Sequence, residues 1–232
     1  MGKTLHVVDC GVQAYRTALE MQEQAAGRRR AGYCGDTLFL LEHPPVYTLG
    51  RNALRAHVLA DEESLARDGI GLETTTRGGD VAYHGPGQLV VYPILDLGPA
   101  LRRVVWYVHG LEEVVIRILA EYGLEAERDK RHRGVWLGRK KIAAVGVKVA
   151  TGIASHGFAL NVAVNLDHYS GIVPCGIQGR GVASLHEHVR DASVAEVKRR
   201  VPAHFSAVFG YDRIKLSQQG ASSEKNGKTG LA

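Results

Sequence analysis

Only three cysteines occur in the 232 residues, and Cys10, Cys34 and Cys175 never form a Cys-x-x-Cys pair. An odd, scattered set excludes a disulfide framework and a cysteine-rich zinc site. A buried free thiol is the plain reading of each. Long apolar runs are also missing, since none approaches the roughly 18 to 20 residues that a membrane span needs. The start, "MGKTLHVVDCG", enters a strand-like segment without the apolar stretch of a signal peptide. His6 stands where a myristoylation signal has Ser or Thr. A cytoplasmic protein is expected. Bulky aromatics are scarce, with four Phe and two Trp, and no nucleic-acid recognition motif accompanies the net charge of +5. The basic clusters at Arg28–Arg30, Arg128–Arg133, Arg139–Lys141 and Lys198–Arg200 fit solvated faces or attraction of an acidic protein partner.

Glycine, in contrast, is in excess: 28 residues, where average usage of about 7% would give roughly 16. Four of them crowd with Arg77 and His84 into "TTTRGGDVAYHGPGQLVVYPI", residues 74–94. Walker-type phosphate binding needs such a loop to run into a helix, with a lysine beside Ser or Thr. Here it joins two strand-like runs and contains no lysine. "GIQGRG" at 176–181 fits no dinucleotide pattern either. The bare backbone therefore serves some other ligand or a close internal approach.

The length suits one domain, assigned to residues 1–216, with the polar segment 217–232 read as a disordered tail. Strands are expected at Leu5–Val8, on either side of Pro44-Pro45, in the run just before Arg77, at Gln88–Leu95, in a hairpin turning at Gly138, and through "HGFALNVAV". Pro93 would put the Gln88–Leu95 strand at an edge, a bulge or a strand end. Helices are expected from Val12 to about Ala31, over Asp61–Arg67, over Leu101–Tyr122, and after a capping box at Ser193–Glu196. Pro202 would kink or shorten the last of these. Strands dominate the middle without βαβα alternation, so the class is α+β, with a mixed or antiparallel sheet and flanking helices.

Cys175 lies between Pro174 and Gly176, off any periodic core face, which suits a thiol presented to a ligand. Such a thiol attacks as thiolate, helped by a cation or helix N-terminus. Lys141 opens the apolar run "KIAAVGVKV" and reads either as a hairpin-end lysine in solvent or as an ammonium fixed by packing. His186-x-His188 has no third ligand nearby and reads as surface histidines rather than a metal site.

Four stretches in order, "RGGDVAYHGPGQLVVYPI", "GVWLGRKKIAAVGVKV", "HGFALNV" and "GIVPCGI", with "LLEHPPVYTLG" before them, resemble the octanoyltransferases of lipoate biosynthesis across most of residues 37–185. The resemblance implies a fold like the catalytic domain of biotin and lipoate protein ligases. It implies transfer of octanoyl from the phosphopantetheine of acyl carrier protein to a lysine of lipoyl domains, those of 2-oxoacid dehydrogenase complexes and of the glycine cleavage H protein. Neither ATP nor a metal is needed in such a reaction, and no nucleic acid or membrane takes part. By position, Cys175 is the nucleophile of an acyl-thioester intermediate, and Lys141 favours its thiolate and moves protons. Substrate contacts map to Arg77, Gly78, Gly79, Asp80, Val81, Ala82, Tyr83 and His84, to Ala144, Val145 and Gly146, and to Gly157, Phe158 and Ala159. The glycines then let backbone approach an acyl chain and its thioester carbonyl, with a backbone N–H stabilising the oxyanion. For His84 and Arg77, structural roles stay open beside these: a satisfied histidine and a buried guanidinium fork. Ala82 and Ala183 stand where this family usually has threonine, which puts any hydroxyl role at Ala82 in doubt.

Three rivals remain. An ATP-dependent lipoate ligase on the same fold would not require Cys175. A cysteine hydrolase would use His84 or His156 as base. A non-catalytic acyl- or nucleic-acid-binding module is favoured only by the positive charge.

Overall fold

The computed structural model describes residues 2–99, 102–177 and 179–218, with only the backbone of Arg102. In chain order the elements are β1 (Thr4–Val12), α1 (Tyr15–Arg30), β2 (Thr37–Glu42), β3 (Val46–Leu49), α2 (Glu62–Arg67), β4 (Gly71–Thr74), β5 (Val81–His84) and β6 (Gln88–Asp96). They continue with α3 (Arg102–Ala120), β7 (Glu127–Arg128), β8 (Val135–Leu137), β9 (Lys140–Ala150), β10 (Ile153–Asn161), β11 (Gly181–Val182), α4 (Val194–Phe209) and β12 (Arg213–Gln218). Leu101, expected to open α3, and residues 219–232, expected to be a disordered tail, lie outside the described residues. Ser217 and Gln218 belong to β12.

The main sheet has the order β12-β1-β2-β6-β10-β9-β8-β7, with β11 added to β9. β12, β1 and β2 are parallel, and every later neighbour along the path is antiparallel. β4, β3 and β5 form a second, smaller sheet. This is the α+β arrangement expected from the sequence.

Period-2 alternation assigns each face its cover. Leu89 and Val91 of β6 join Leu38, Leu40 and Phe158 beneath α3 and α4. Val90, Tyr92 and Ile94 face the other way, toward Ala18 of α1. On α3 the buried stripe is Tyr107, Leu111, Val114, Val115 and Ile118. α4 runs through Pro202 to Phe209, so Pro202 does not shorten it. Burial of Val197, Val201 and Phe205 offsets the missing bond to the Lys198 carbonyl. Its N-terminus is half a capping box: Ser193 accepts from the Glu196 N–H at 3.2 Å, while the Glu196 carboxylate pairs with Arg200. A complete box forms instead at Ser184 and Glu187.

β6, for which Pro93 implied an edge, a bulge or a strand end, lies in the interior between β2 and β10. Pro93 keeps its place opposite Leu38 of β2. On the β10 side, pairing lapses between Ala154 and Phe158 and resumes in the same register. There His156 adopts φ +55° and gives its N–H to Gln22 Oε1 of α1 at 2.7 Å. The break thus accommodates a residue with no N–H to share. Gly157 completes it: a Cβ there would overlap the Val91 carbonyl and sit 2.6 Å from Pro93 Cδ. Gly157→Ala should therefore destabilise the fold by about 1–3 kcal/mol through overpacking. Denaturant unfolding measures this, and an unchanged midpoint would contradict the close approach.

Candidate functional site

The site forms where β9, β10, the loop before β5 and the 173–177 segment meet. β9 carries a bulge against β8: Val135 opposes Ala143, yet the adjacent Trp136 opposes Lys141. A bulge re-aims the side chains beside it. Lys141, although first but one in its strand, is only 8% exposed. Its Nζ lies 4.9 Å from the centroid of the Trp136 ring, which is itself 1% exposed. This is the fixed ammonium rather than the solvent lysine. Lys140 goes the other way, exposed and 3.4 Å from Glu187.

Cys175 sits in a single 3₁₀ turn, Pro174–Gly176, with φ 55° and ψ 19°. A non-glycine residue in this left-handed region is uncommon and tends to mark a functional site. The turn is closed by Gly176 N–H to Val173 O and Ile177 N–H to Pro174 O, both at 3.0 Å. The chain then returns along β9: β11 pairs in parallel with Lys140 and Lys141, and the Ala183 N–H donates to the Lys141 carbonyl at 2.9 Å. Lys141 Nζ reaches Cys175 Sγ at 3.3 Å.

Beside this pair opens a pocket walled by Gly78, Gly79, Ala82, Ala144, Val145, Gly146, Gly157, Phe158 and Ala159, with Arg77, Asp80 and His84 also on its wall. Val81 and Tyr83 alternate to the other face of β5 and pack in the core of the small sheet, reaching only the adjoining cleft beside Lys141. Ala82 presents a methyl group to the pocket, and Ala183 acts through its backbone. Gly146 is tight, since a Cβ there would come within 3.1 Å of Arg77 Cδ.

Arg77 is a buried fork. Its two terminal nitrogens donate to the Gly78 and Asp80 carbonyls and to both oxygens of Thr48. His84 donates to Gln88 Oε1 at 2.8 Å. Gln88 continues to Asn161, and Asn161 to the Ala183 carbonyl, both at 2.9 Å. This polar chain ties β5 to the segment lying along Lys141. Val90, Tyr92 and His156 also line the pocket.

Burial pushes His43 down to about 4 and His156 down to about 3, with the Arg77 and Lys148 charges adding to it. Burial likewise holds His84 well below its ordinary value, with His43 and Arg77 adding. All three are neutral in the folded chain at neutral pH, whereas an unfolded chain protonates them near 6.5. Below about pH 6.5 the unfolded chain binds more protons, so stability falls as pH falls. The expected slope is about 1.4 kcal/mol per pH unit for each histidine still neutral in the fold. Denaturant midpoints between about pH 7 and pH 4.5 read it, and constant stability across that window would contradict it.

Sequence reasoning missed His57. Its Nδ1 donates to Asp80 Oδ2, and the pair lies against Gly176, next to Cys175. No periodicity or motif in "LRAHV" signals this, because the contact is between loops. Among the described residues, no three His, Cys, Asp or Glu side chains converge as metal ligands would, and no helix is long and apolar enough to cross a membrane.

The family model of the lipoyl protein ligase A/B catalytic domain matches residues 14–206. An octanoyltransferase from Alkaliphilus metalliredigens is 47% identical over 215 residues, covering 91% of this chain and 98% of that protein. One from Solibacter usitatus is 48% identical over 200 residues, covering 86% and 90%. Among solved structures, lipoate-protein ligase A bound with ATP superposes with a TM-score of 0.75 at 22% identity, covering 94% of this chain and 89% of that one. A bipartite lipoate protein ligase with its E2 lipoyl domain from Thermoplasma acidophilum gives 0.72 at 19% identity, covering 94% and 86%.

Proposed function

The chain belongs to the lipoyl protein ligase A/B catalytic domain family and within it to the octanoyltransferases, and we propose that it moves octanoyl from acyl carrier protein to a lipoyl-domain lysine through a thioester on Cys175. One observation carries the residue assignment: the 3.3 Å contact between Lys141 Nζ and Cys175 Sγ at a pocket walled by Gly, Ala and Val. An eight-carbon chain offers dispersion and desolvation but few polar handles, and such walls suit it.

In the first half-reaction the Cys175 thiolate attacks the carrier thioester carbonyl. A new C–S bond forms, the old one breaks, and the Lys141 ammonium gives its proton to the departing phosphopantetheine thiol. In the second, the lipoyl lysine attacks the Cys175 thioester, neutral Lys141 takes the proton lost by that amine, and the thiolate leaves. Activation is already present in the thioester, so neither ATP nor a metal enters the scheme. We assign the catalytic domain through Gln218 rather than 216, because Ser217 and Gln218 pair with β1 as part of β12. The lipoyl domains are those of 2-oxoacid dehydrogenases and the H protein. With octanoyl carrier protein and a lipoyl domain but no ATP, the lipoyl domain should gain one octanoyl amide by mass. Free octanoate as the sole product would mean a hydrolase, and a requirement for ATP with free octanoate would mean a ligase.

A further inference from the structure

A nucleophile held with positive φ needs surroundings that over-determine it. Cys175 and Gly176 are two successive left-handed residues, at φ 55° and 68°, and the turn's own two hydrogen bonds are common to any 3₁₀ turn. Against the Gly176 end of that turn stands the His57–Asp80 pair. A Cβ on Gly176 would sit 2.6 Å from Asp80 Oδ2 and 3.2 Å from His57 Cε1, so the peptide and the pair are in close contact.

Both partners are themselves fixed. Asp80 Oδ1 accepts from the Val81 N–H at 2.8 Å and the Leu54 N–H at 3.2 Å, while Oδ2 takes the His57 proton. The Asp80 carbonyl is held by Arg77 at 2.8 Å. The His57 carbonyl accepts the Val173 N–H at 2.8 Å, which anchors the entry to the turn. The carboxylate and the imidazole thus join segments 54–57 and 80–81, and the His57 carbonyl ties both to the turn at 173–176.

We propose that the His57–Asp80 pair is a positioning device that braces the Gly176 peptide, holds Cys175 in its left-handed conformation and so keeps the thiol on Lys141. This rests on the reading of Cys175 as nucleophile and assigns neither His57 nor Asp80 to the reacting atoms. Around Cys175 the charged and titratable groups are Lys141 from β9, Arg77, Tyr169 and the pair itself. A charge effect and a positioning effect give opposite patterns. If the pair acted through charge, removing the His57 proton donor would disfavour the thiolate, and removing the Asp80 carboxylate would favour it. Loss of the brace disfavours it in both cases, because the thiol drifts from the ammonium.

The test is alkylation of Cys175 by iodoacetamide against pH, with steady-state octanoyl transfer and thermal unfolding, in His57→Ala, Asp80→Ala and the double variant. Each should move the alkylation midpoint upward, because the thiol loses its contact with the ammonium. Each should lower kcat by about tenfold or more with KM for the carrier unchanged, and the double variant should be no worse than either single one. His57→Gln, whose amide can still donate to Asp80, should recover most of both. Asp80→Asn, which keeps the acceptor for the two backbone N–H groups, should fall between. These two milder variants decide the matter if the alanine variants fail to fold. An unchanged midpoint in a folded variant, opposite shifts for His57 and Asp80, or a lowered melting temperature as the only effect would overturn the proposal. Absence of a Cys175 thioester in the parent enzyme would instead overturn the proposed function, whatever the variants do.

Discussion

Cys175→Ala should abolish octanoyl transfer, lowering the rate of amide formation by at least about a thousandfold. Cys10→Ala and Cys34→Ala should leave it within about twofold. The contrast follows from where the thiols lie. Cys175 borders the pocket and touches a cation. Cys10 is buried under α1, with burial and the neighbouring Asp9 charge pushing its thiol up to about 12, so it carries no thiolate at neutral pH. Cys34 faces the Ala25 carbonyl at the end of α1, away from the pocket. Transfer that survives in Cys175→Ala would mean that the lysine of the lipoyl domain attacks the carrier thioester directly.

The second large effect belongs to Lys141. A free cysteine titrates near 8.5, so only a few per cent is ionised at pH 7. An ammonium 3.3 Å away in a site this buried favours the thiolate and supplies the proton that the leaving thiol needs. Lys141→Ala should raise the pH midpoint of Cys175 alkylation and slow transfer by about 10²- to 10⁴-fold. Lys140→Ala removes only an exposed pair with Glu187 and should do little. Lys141→Arg separates the two roles: a guanidinium keeps the charge but does not deprotonate, so alkylation should recover more than transfer does. An unchanged alkylation profile in Lys141→Ala, or a larger defect in Lys140→Ala, would show that the dyad is wrongly drawn.

The parts of the molecule legible from sequence were those with local signals. Gly138 marked the β8–β9 hairpin, and apolar spacing gave α3. The order of the glycine-rich, lysine and cysteine stretches pointed to the family and to the pocket. What stayed hidden is non-local. Pro93 argues for an edge, a bulge or a strand end until one sees His156 turn its N–H to Gln22, across 134 positions of chain. β12, "RIKLSQ", is exposed throughout and becomes a strand only because β1 offers it a parallel partner. The burial of Lys141 depends on a bulge and on Trp136, and neither changes the hydrophobic pattern of β9. His57 meets Asp80 only through folding of two loops, so nothing in its own neighbourhood announces it.

The covalent intermediate on Cys175 separates acyl transfer through the enzyme from every other route. The enzyme should be mixed with octanoyl carrier protein in the absence of ATP and of any lipoyl domain, quenched in acid, and weighed intact and after digestion. One octanoyl group is expected on the peptide containing Cys175, released by hydroxylamine and consumed when a lipoyl domain is added. An enzyme that transfers octanoyl with no such adduct, or carries it on another residue, would contradict the account.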